Sequence, residues 1–142
     1  MKVTNLKTSQ KLKELGFETY TEFYHIADEK CISQGSDADD YELEHIDCGH
    51  LHRLQKCFNY PAYDLETILE ALPKSIEIND EEGRRLFPLR IDKDKIEYRL
   101  GTEYYSEPSG YEEDIKENES LANTAGRLLI KLLKDNIIKL GE

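Results

Sequence analysis

The stretch Ile76–Leu100, IEINDEEGRRLFPLRIDKDKIEYRL, decides the fold, because apolar and polar residues alternate in three short runs. Such alternation is typical of strands with one buried face and one solvated face. The connections between the runs, Asn79–Gly83 and Asp92–Lys95, are short, which favours an antiparallel meander. We therefore predict a meander whose buried face meets the last helix of the chain. In its second and third strands the buried residues are expected to be Phe87, Leu89, Ile91, Ile96, Tyr98 and Leu100.

Three helices are predicted around this meander. Asp64 is a suitable N-cap for a helix with an apolar stripe that ends before Pro73. A last helix is predicted over about Leu121–Asp135, and a short first helix over Gln10–Leu15. The expected fold class is α+β: a single domain over residues 1–142, with a mostly antiparallel sheet and three helices packed on one side.

The remaining segments are less regular. Phe17–Ile26 and Tyr41–Ile46 are predicted as strands, because the first is rich in aromatic and β-branched residues and the second alternates weakly. Asp47–Tyr60 has no clear periodicity. Glu103–Asn118 is predicted as an acidic loop with a turn at Pro108–Gly110.

The charge of the chain is negative and uneven. The formal net charge is −11. Two regions, Asp28–Asp47 and Glu103–Glu119, together carry a larger negative charge than the whole chain. Binding to nucleic acid requires a basic face, and so does binding to anionic membranes, so neither is expected. An acidic inhibitor that mimics nucleic acid is an alternative function. In that case the carboxylates of Asp37–Glu44 and Glu112–Glu119 would imitate phosphates.

The expected compartment is the cytoplasm. No apolar run approaches the roughly 18 residues that a membrane span needs, and the N-terminal residues lack a secretory apolar region. The chain has 3 cysteines, an odd number that fits a reducing compartment better than a disulfide framework.

Histidines and cysteines are concentrated in one short segment. Histidine nitrogens and cysteine thiolates are the ligands that zinc prefers, so a metal-binding protein is one alternative. The spacing matches no standard zinc pattern, however, and we expect no cofactor and no stoichiometric metal. A cysteine nucleophile with a histidine base is a weaker alternative, and no catalytic constellation indicates an enzyme. The candidate metal ligands are His45, Cys48, His50, His52 and Cys57.

Protein contacts are the expected mode of action. Tyr104, Tyr105 and Tyr111 lie among acidic residues, and aromatic side chains are enriched at binding hot spots. Ile130 falls among the cations of the last helix and is predicted to be exposed. With Ile137 and Ile138 it forms an apolar set that either docks on its own chain or pairs two copies, and a homodimer is slightly favoured.

Three blocks of the sequence resemble a known group of proteins. They are the opening Ser9–Phe17, the segment Pro61–Pro73 and the segment Leu121–Leu133. Together they are similar to a loose group of short uncharacterised proteins of phages, prophages and mobile elements, notably from Bacteroides-like bacteria. The resemblance implies no catalytic residue and no ligand. It leads us to expect a non-enzymatic accessory protein of a phage or mobile element.

Overall fold

The computed structural model describes residues 2–28, 41–81, 83–101 and 106–140, which form three α-helices, one 3₁₀ helix and seven strands. This architecture confirms the predicted α+β class. The helices are α1 (Leu6–Glu14), α2 (Leu65–Ala71) and α3 (Leu121–Lys134), and the 3₁₀ helix is Cys48–Lys56. The strands are β1 (Phe23–Asp28), β2 (Glu42–His45), β3 (Cys57–Ala62), β4 (Ser75–Asp80), β5 (Gly83–Ile91), β6 (Lys95–Gly101) and β7 (Ser106–Asp114).

The described strands form two antiparallel sheets, where a single sheet was expected. One sheet has the order β2-β1-β3 and the other the order β4-β5-β6-β7. The predicted meander is confirmed as β4, β5 and β6, joined by short turns. Helix α3 contacts β6 and β7 as well as α1 and α2, while α1 also contacts β3. The helices therefore occupy the space between elements of both sheets.

The buried face of the meander is mostly as predicted. Phe87, Ile96 and Tyr98 are at most 1% exposed, and Leu89 and Leu100 are partly buried against the same core. The prediction for Ile91 is wrong, because this side chain is 46% exposed. Helix α3 lies over β6 and β7, so the end of β5 extends beyond the surface that the helix covers.

One residue of the expected wet face is also buried. Glu97 on β6 is 3% exposed, and the side chains of Lys95 and Arg99 form ion pairs with it. Burial disfavours its carboxylate, but the two cations outweigh burial and lower the pKa of Glu97.

The helices begin and end at recognisable caps. Asp64 accepts a hydrogen bond from the N–H of Thr67 at the start of α2, as predicted, and Ser120 caps α3 in the same way. Helix α1 begins at Leu6 with Asn5 as its cap, four residues before the predicted start. The apolar stripe located this helix but not its first turn, which is polar.

The described part of Glu103–Asn118, which starts at Ser106, is mostly a strand and not the predicted acidic loop. Residues Ser106–Asp114 form β7, which pairs with β6 through a register shift between Glu97 and Arg99. Gly110 has φ +90° at this irregularity, a backbone conformation that glycine adopts at low cost. The acids of β7 hid its strand character, because they face cations of the same chain instead of apolar neighbours.

The stretch Asp47–Tyr60, which has no clear periodicity, contains the 3₁₀ helix and the first residues of β3. The predicted strand Phe17–Ile26 begins later, at Phe23, and Phe17 is instead 5% exposed in the core. Among the described residues, no helix combines the length and the apolar character that crossing a membrane requires.

Candidate functional site

The predicted His/Cys cluster is divided between the two ends of the three-stranded sheet. His45 lies opposite Phe23 and Cys57 lies opposite Asp28, on the two sides of β1. Five residues of strand separate these positions, which corresponds to about 17 Å along β1. His45 and Cys57 therefore do not belong to a common metal site.

The other members of the cluster lie on or beside the 3₁₀ helix. His50 Nδ1 is 2.6 Å from Asp47 Oδ1, and this hydrogen bond lowers the pKa of Asp47. The rings of His50 and His52 are both exposed, with centroids 6.4 Å apart. The side chain of Cys48 lies outside the part of the chain that the structure describes. In the described part, no group of three or more His, Cys, Asp or Glu side chains is arranged to hold a metal ion.

His45 has a different environment. Its Nε2 is 3.1 Å from Glu22 Oε2, and its ring centroid is 5.1 Å from that of Phe23. Hydrogen bonds from His45 and from Tyr20 lower the pKa of Glu22. These contacts link β2 to the segment before β1, which is a structural role.

Of the three candidate tyrosines, only Tyr111 can be placed. Tyr104 and Tyr105 lie outside the described residues. Tyr111 on β7 is half-buried against the core, and its hydroxyl donates to Asp135 Oδ2 at 3.0 Å. Burial, followed by this carboxylate, raises the pKa of Tyr111. The ring joins β7 to the end of α3 instead of standing free at the surface.

The expected exposed apolar set is mostly covered by its own chain. Ile130 is 9% exposed, so the prediction that it is exposed is wrong. It belongs to the buried core, and α3 packs against α1 and α2, which the helical wheel of α3 alone does not represent. Ile137 and Ile138 are partly buried against the core, which is the local docking considered above.

The acids before α3 are held by cations of the same chain. Arg127 donates from Nε to Glu119 Oε2 at 2.7 Å and from Nη2 to Glu119 Oε1 at 2.6 Å, and it also contacts Glu113. Burial disfavours the Glu119 carboxylate, but Arg127 and the other donors outweigh it and lower the pKa of Glu119 to about 2.

The same arrangement extends along β7. Lys131 Nζ is 3.1 Å from Glu113, and Lys95 Nζ is 3.2 Å from Glu112. Three of the five acids in Glu112–Glu119, namely Glu112, Glu113 and Glu119, thus pair with cations of the same chain. Residues 37–40 of the other acidic region lie outside the described residues.

An apolar surface that the sequence did not reveal lies on the three-stranded sheet. Leu43 and Tyr60 both lie opposite His25, on either side of β1, and Phe58 lies opposite Ala27. Residues paired or two apart on antiparallel strands share a face, so these side chains point to one side of the sheet. Leu43 is 43% exposed and Phe58 is 48% exposed. We call Leu43, Phe58, Tyr60 and the adjoining Tyr41 the apolar sheet face.

Aromatic contacts hold this face together. The rings of Tyr41 and Tyr60 lie 5.7 Å apart, and Ala27, small and 1% exposed, stands in the strand between β2 and β3. Lys13 Nζ lies 5.2 Å from the Tyr60 ring, and His25, on the central strand between Leu43 and Tyr60, donates from Nε2 to Thr4 O at 2.9 Å. Burial lowers the pKa of His25, although this hydrogen bond opposes the change. Two large side chains of this face, Leu43 and Phe58, remain open to solvent.

Only the pairing register brings these residues together. Leu43 comes from a weakly alternating run and Phe58 from the stretch without periodicity, so neither was singled out in the sequence.

No protein-family model, no curated protein and no solved structure matches this chain.

Proposed function

We propose that the chain is a non-enzymatic accessory protein of a phage or mobile element, acting in the cytoplasm by binding another protein through the apolar sheet face. The exposure of Leu43 and Phe58 on one side of the β2–β1–β3 sheet carries the proposal. A few buried anchor residues, among which aromatic side chains are enriched, supply most of the binding energy at protein interfaces. The resemblance to mobile-element proteins supports the biological setting and does not bear on the partner.

The chemistry around the face favours a basic partner. The edge strand β2 carries Glu42 and Glu44 on either side of Leu43, with side chains on the other face of the sheet, and the whole chain has a net charge of −11. Such a surface attracts a partner that presents apolar side chains flanked by lysine or arginine. A second copy of this chain is a less suitable occupant, because each copy carries a net charge of −11.

The proposal is tested with a photo-crosslinking amino acid placed at Phe58 in cells of the native host. Leu86 on β5 is the matched control, because it is 52% exposed and lies on the other sheet. We expect a basic protein to be labelled from position 58 and not from position 86. The labelled protein is then purified, and its affinity is measured by titration calorimetry.

Substitutions then separate binding from folding. Phe58→Asp and Leu43→Asp should each weaken binding at least about fourfold, since burying the exposed half of such a side chain contributes about 0.8–1.5 kcal/mol. Leu86→Asp should leave the affinity unchanged, and added salt should weaken the complex. Equal labelling from both positions would refute the proposal. So would labelling of a second copy alone, together with a dimer mass in light scattering.

A further inference from the structure

A second surface lies away from the apolar sheet face, between α1, the turn at residues 116–120 and α3. It is a cleft of about 820 Å³, which lies in the range of small-molecule sites. Asn5, Thr8 and Gln10 on one side and Ser120 and Asn123 on the other supply uncharged polar groups. Ile130 forms part of its apolar wall.

The charge of this cleft is opposite to that of the chain. The whole sequence has 19 basic and 30 acidic residues, but basic residues outnumber acidic ones along the cleft. Its acidic residues are Glu14, Glu117 and Glu119, and its basic residues are Lys2, Lys7, Lys11, Lys116, Arg127 and Lys134.

Two of these acids are already neutralised. Glu14 pairs with Lys11 at 3.2 Å, and Glu119 is held by Arg127. Four of the cleft's cations form no ion pair within the ranges that the structure describes. These are Lys2, Lys7, Lys116 and Lys134. An acidic protein thus keeps a local excess of positive charge in one concave surface.

Two helices begin at one end of the cleft. The N–H of Asn5 donates to Asn123 Oδ1 at 2.8 Å, and Ser120 Oγ donates to the carbonyl of Val3 at 3.2 Å, so the starts of α1 and α3 are side by side. The caps, Asn5 and Ser120, are uncharged, and the first turn of neither helix contains an acid. By contrast, α2 begins with Asp64 and Glu66.

The lysines at this end of the cleft lie beside helix N-termini, where acidic residues are usually found. The N-terminus of a helix carries partial positive charge and favours anions. Lys7 nevertheless lies in the first turn of α1, and Lys2 and Lys116 adjoin the starts of the two helices. Two helix ends and three lysines therefore bring positive charge to this end of the cleft, beside the Glu119 carboxylate that Arg127 already holds.

We propose that this cleft binds a small anion bearing a chain of phosphate groups, with Lys2, Lys7 and Lys116 holding it at the paired helix starts. The chain's net charge of −11 opposes the approach of a long nucleic acid, so a compact ligand fits better. Lys134, further along the cleft, extends the positive surface for the remainder of the ligand. The site is separate from the proposed protein-binding surface.

The test is titration calorimetry of the full chain with inorganic triphosphate and, separately, with ATP at matched ionic strength. We expect saturable binding of triphosphate. If ATP binds with the same affinity as triphosphate, the cleft recognises the phosphates alone. If ATP binds more tightly, the cleft also contacts the nucleoside. Lys7→Gln and Lys116→Gln should each weaken binding about tenfold, as the loss of one hydrogen bond between charged groups implies.

Lys93→Gln is the matched control, because Lys93 is exposed in the turn between β5 and β6. Its affinity should equal that of the unchanged protein, and circular dichroism should show all variants folded. The proposal is overturned if neither anion binds at millimolar concentration. It is also overturned if the control variant loses as much affinity as the cleft variants, or if an oligonucleotide binds and triphosphate does not.

Discussion

Gly126, in the middle of α3, lies at the contact between this helix and α1, and its substitution by alanine tests that contact. A Cβ at position 126 would lie 2.9 Å from Thr8 Cγ2 and 3.0 Å from Thr4 Cγ2. Both distances are well inside the roughly 3.5–4.0 Å at which carbon atoms attract.

The threonines have little freedom to move away. Their β-branched side chains are stiff at χ1, and Thr4 accepts a hydrogen bond from the N–H of Tyr63 at 3.1 Å. Overpacking of this kind costs about 1–3 kcal/mol. Replacing glycine by alanine inside a helix otherwise stabilises by about 1 kcal/mol. Gly126→Ala should therefore lower the free energy of unfolding by about 1 kcal/mol.

Urea denaturation followed by circular dichroism measures this change, and a double-mutant cycle assigns it. Thr8→Ser removes the methyl group nearest to the new Cβ, so Gly126→Ala should cost less in that background than in the unchanged chain. If Gly126→Ala stabilises the protein by about 1 kcal/mol, helix propensity alone accounts for it and the close contact is refuted.

The core, one buried histidine and the carboxylate before α3 provide the remaining tests. Ile96→Ala should cost about 2–5 kcal/mol because Ile96 is fully buried, whereas Ile91→Ala, at a 46% exposed position, should cost less than about 1 kcal/mol. Equal costs in urea denaturation would contradict the described packing. The pKa of His25 is lowered by burial, so the unfolded chain binds more protons below its ordinary pKa of 6.5 and stability falls as the pH is lowered. Between pH 7.5 and 5.5, melting curves should show a larger loss for the unchanged chain than for His25→Gln, and parallel losses would exclude this histidine. The pKa of Glu119 is lowered to about 2, so its contribution is complete above its ordinary pKa of 4.5 and is lost as the pH falls toward 2. At pH 7 Glu119→Ala should cost about 1.5–3 kcal/mol, unlike the exposed neighbour Glu117→Ala, and the difference should disappear in acid.

Local patterns were sufficient where the decisive interactions are local. The cap at Asp64 and the end before Pro73 predicted α2, because capping and helix termination act within one turn. Alternation over Ile76–Leu100 predicted the meander for a similar reason, since successive side chains of a strand point to opposite faces. The same reasoning failed for β7, where ion pairs with distant cations replace apolar contacts.

The candidate surfaces depended on long-range placement. The spacing from His45 to Cys57 suggested one site, but the register placed these residues at opposite ends of β1. The helical wheel of α3 predicted that Ile130 is exposed, but this side chain belongs to the buried core, and no pattern within one helix specifies its neighbours.

The sequence by itself determined the α+β class, the meander and the amphipathic helices, because these follow from periodicity and caps within a few residues. Only the tertiary structure decided which side chains remain exposed on the β2–β1–β3 sheet and which lysines surround the starts of α1 and α3. Residues far apart in the chain form both surfaces, and their exposure depends on what the rest of the fold places over them.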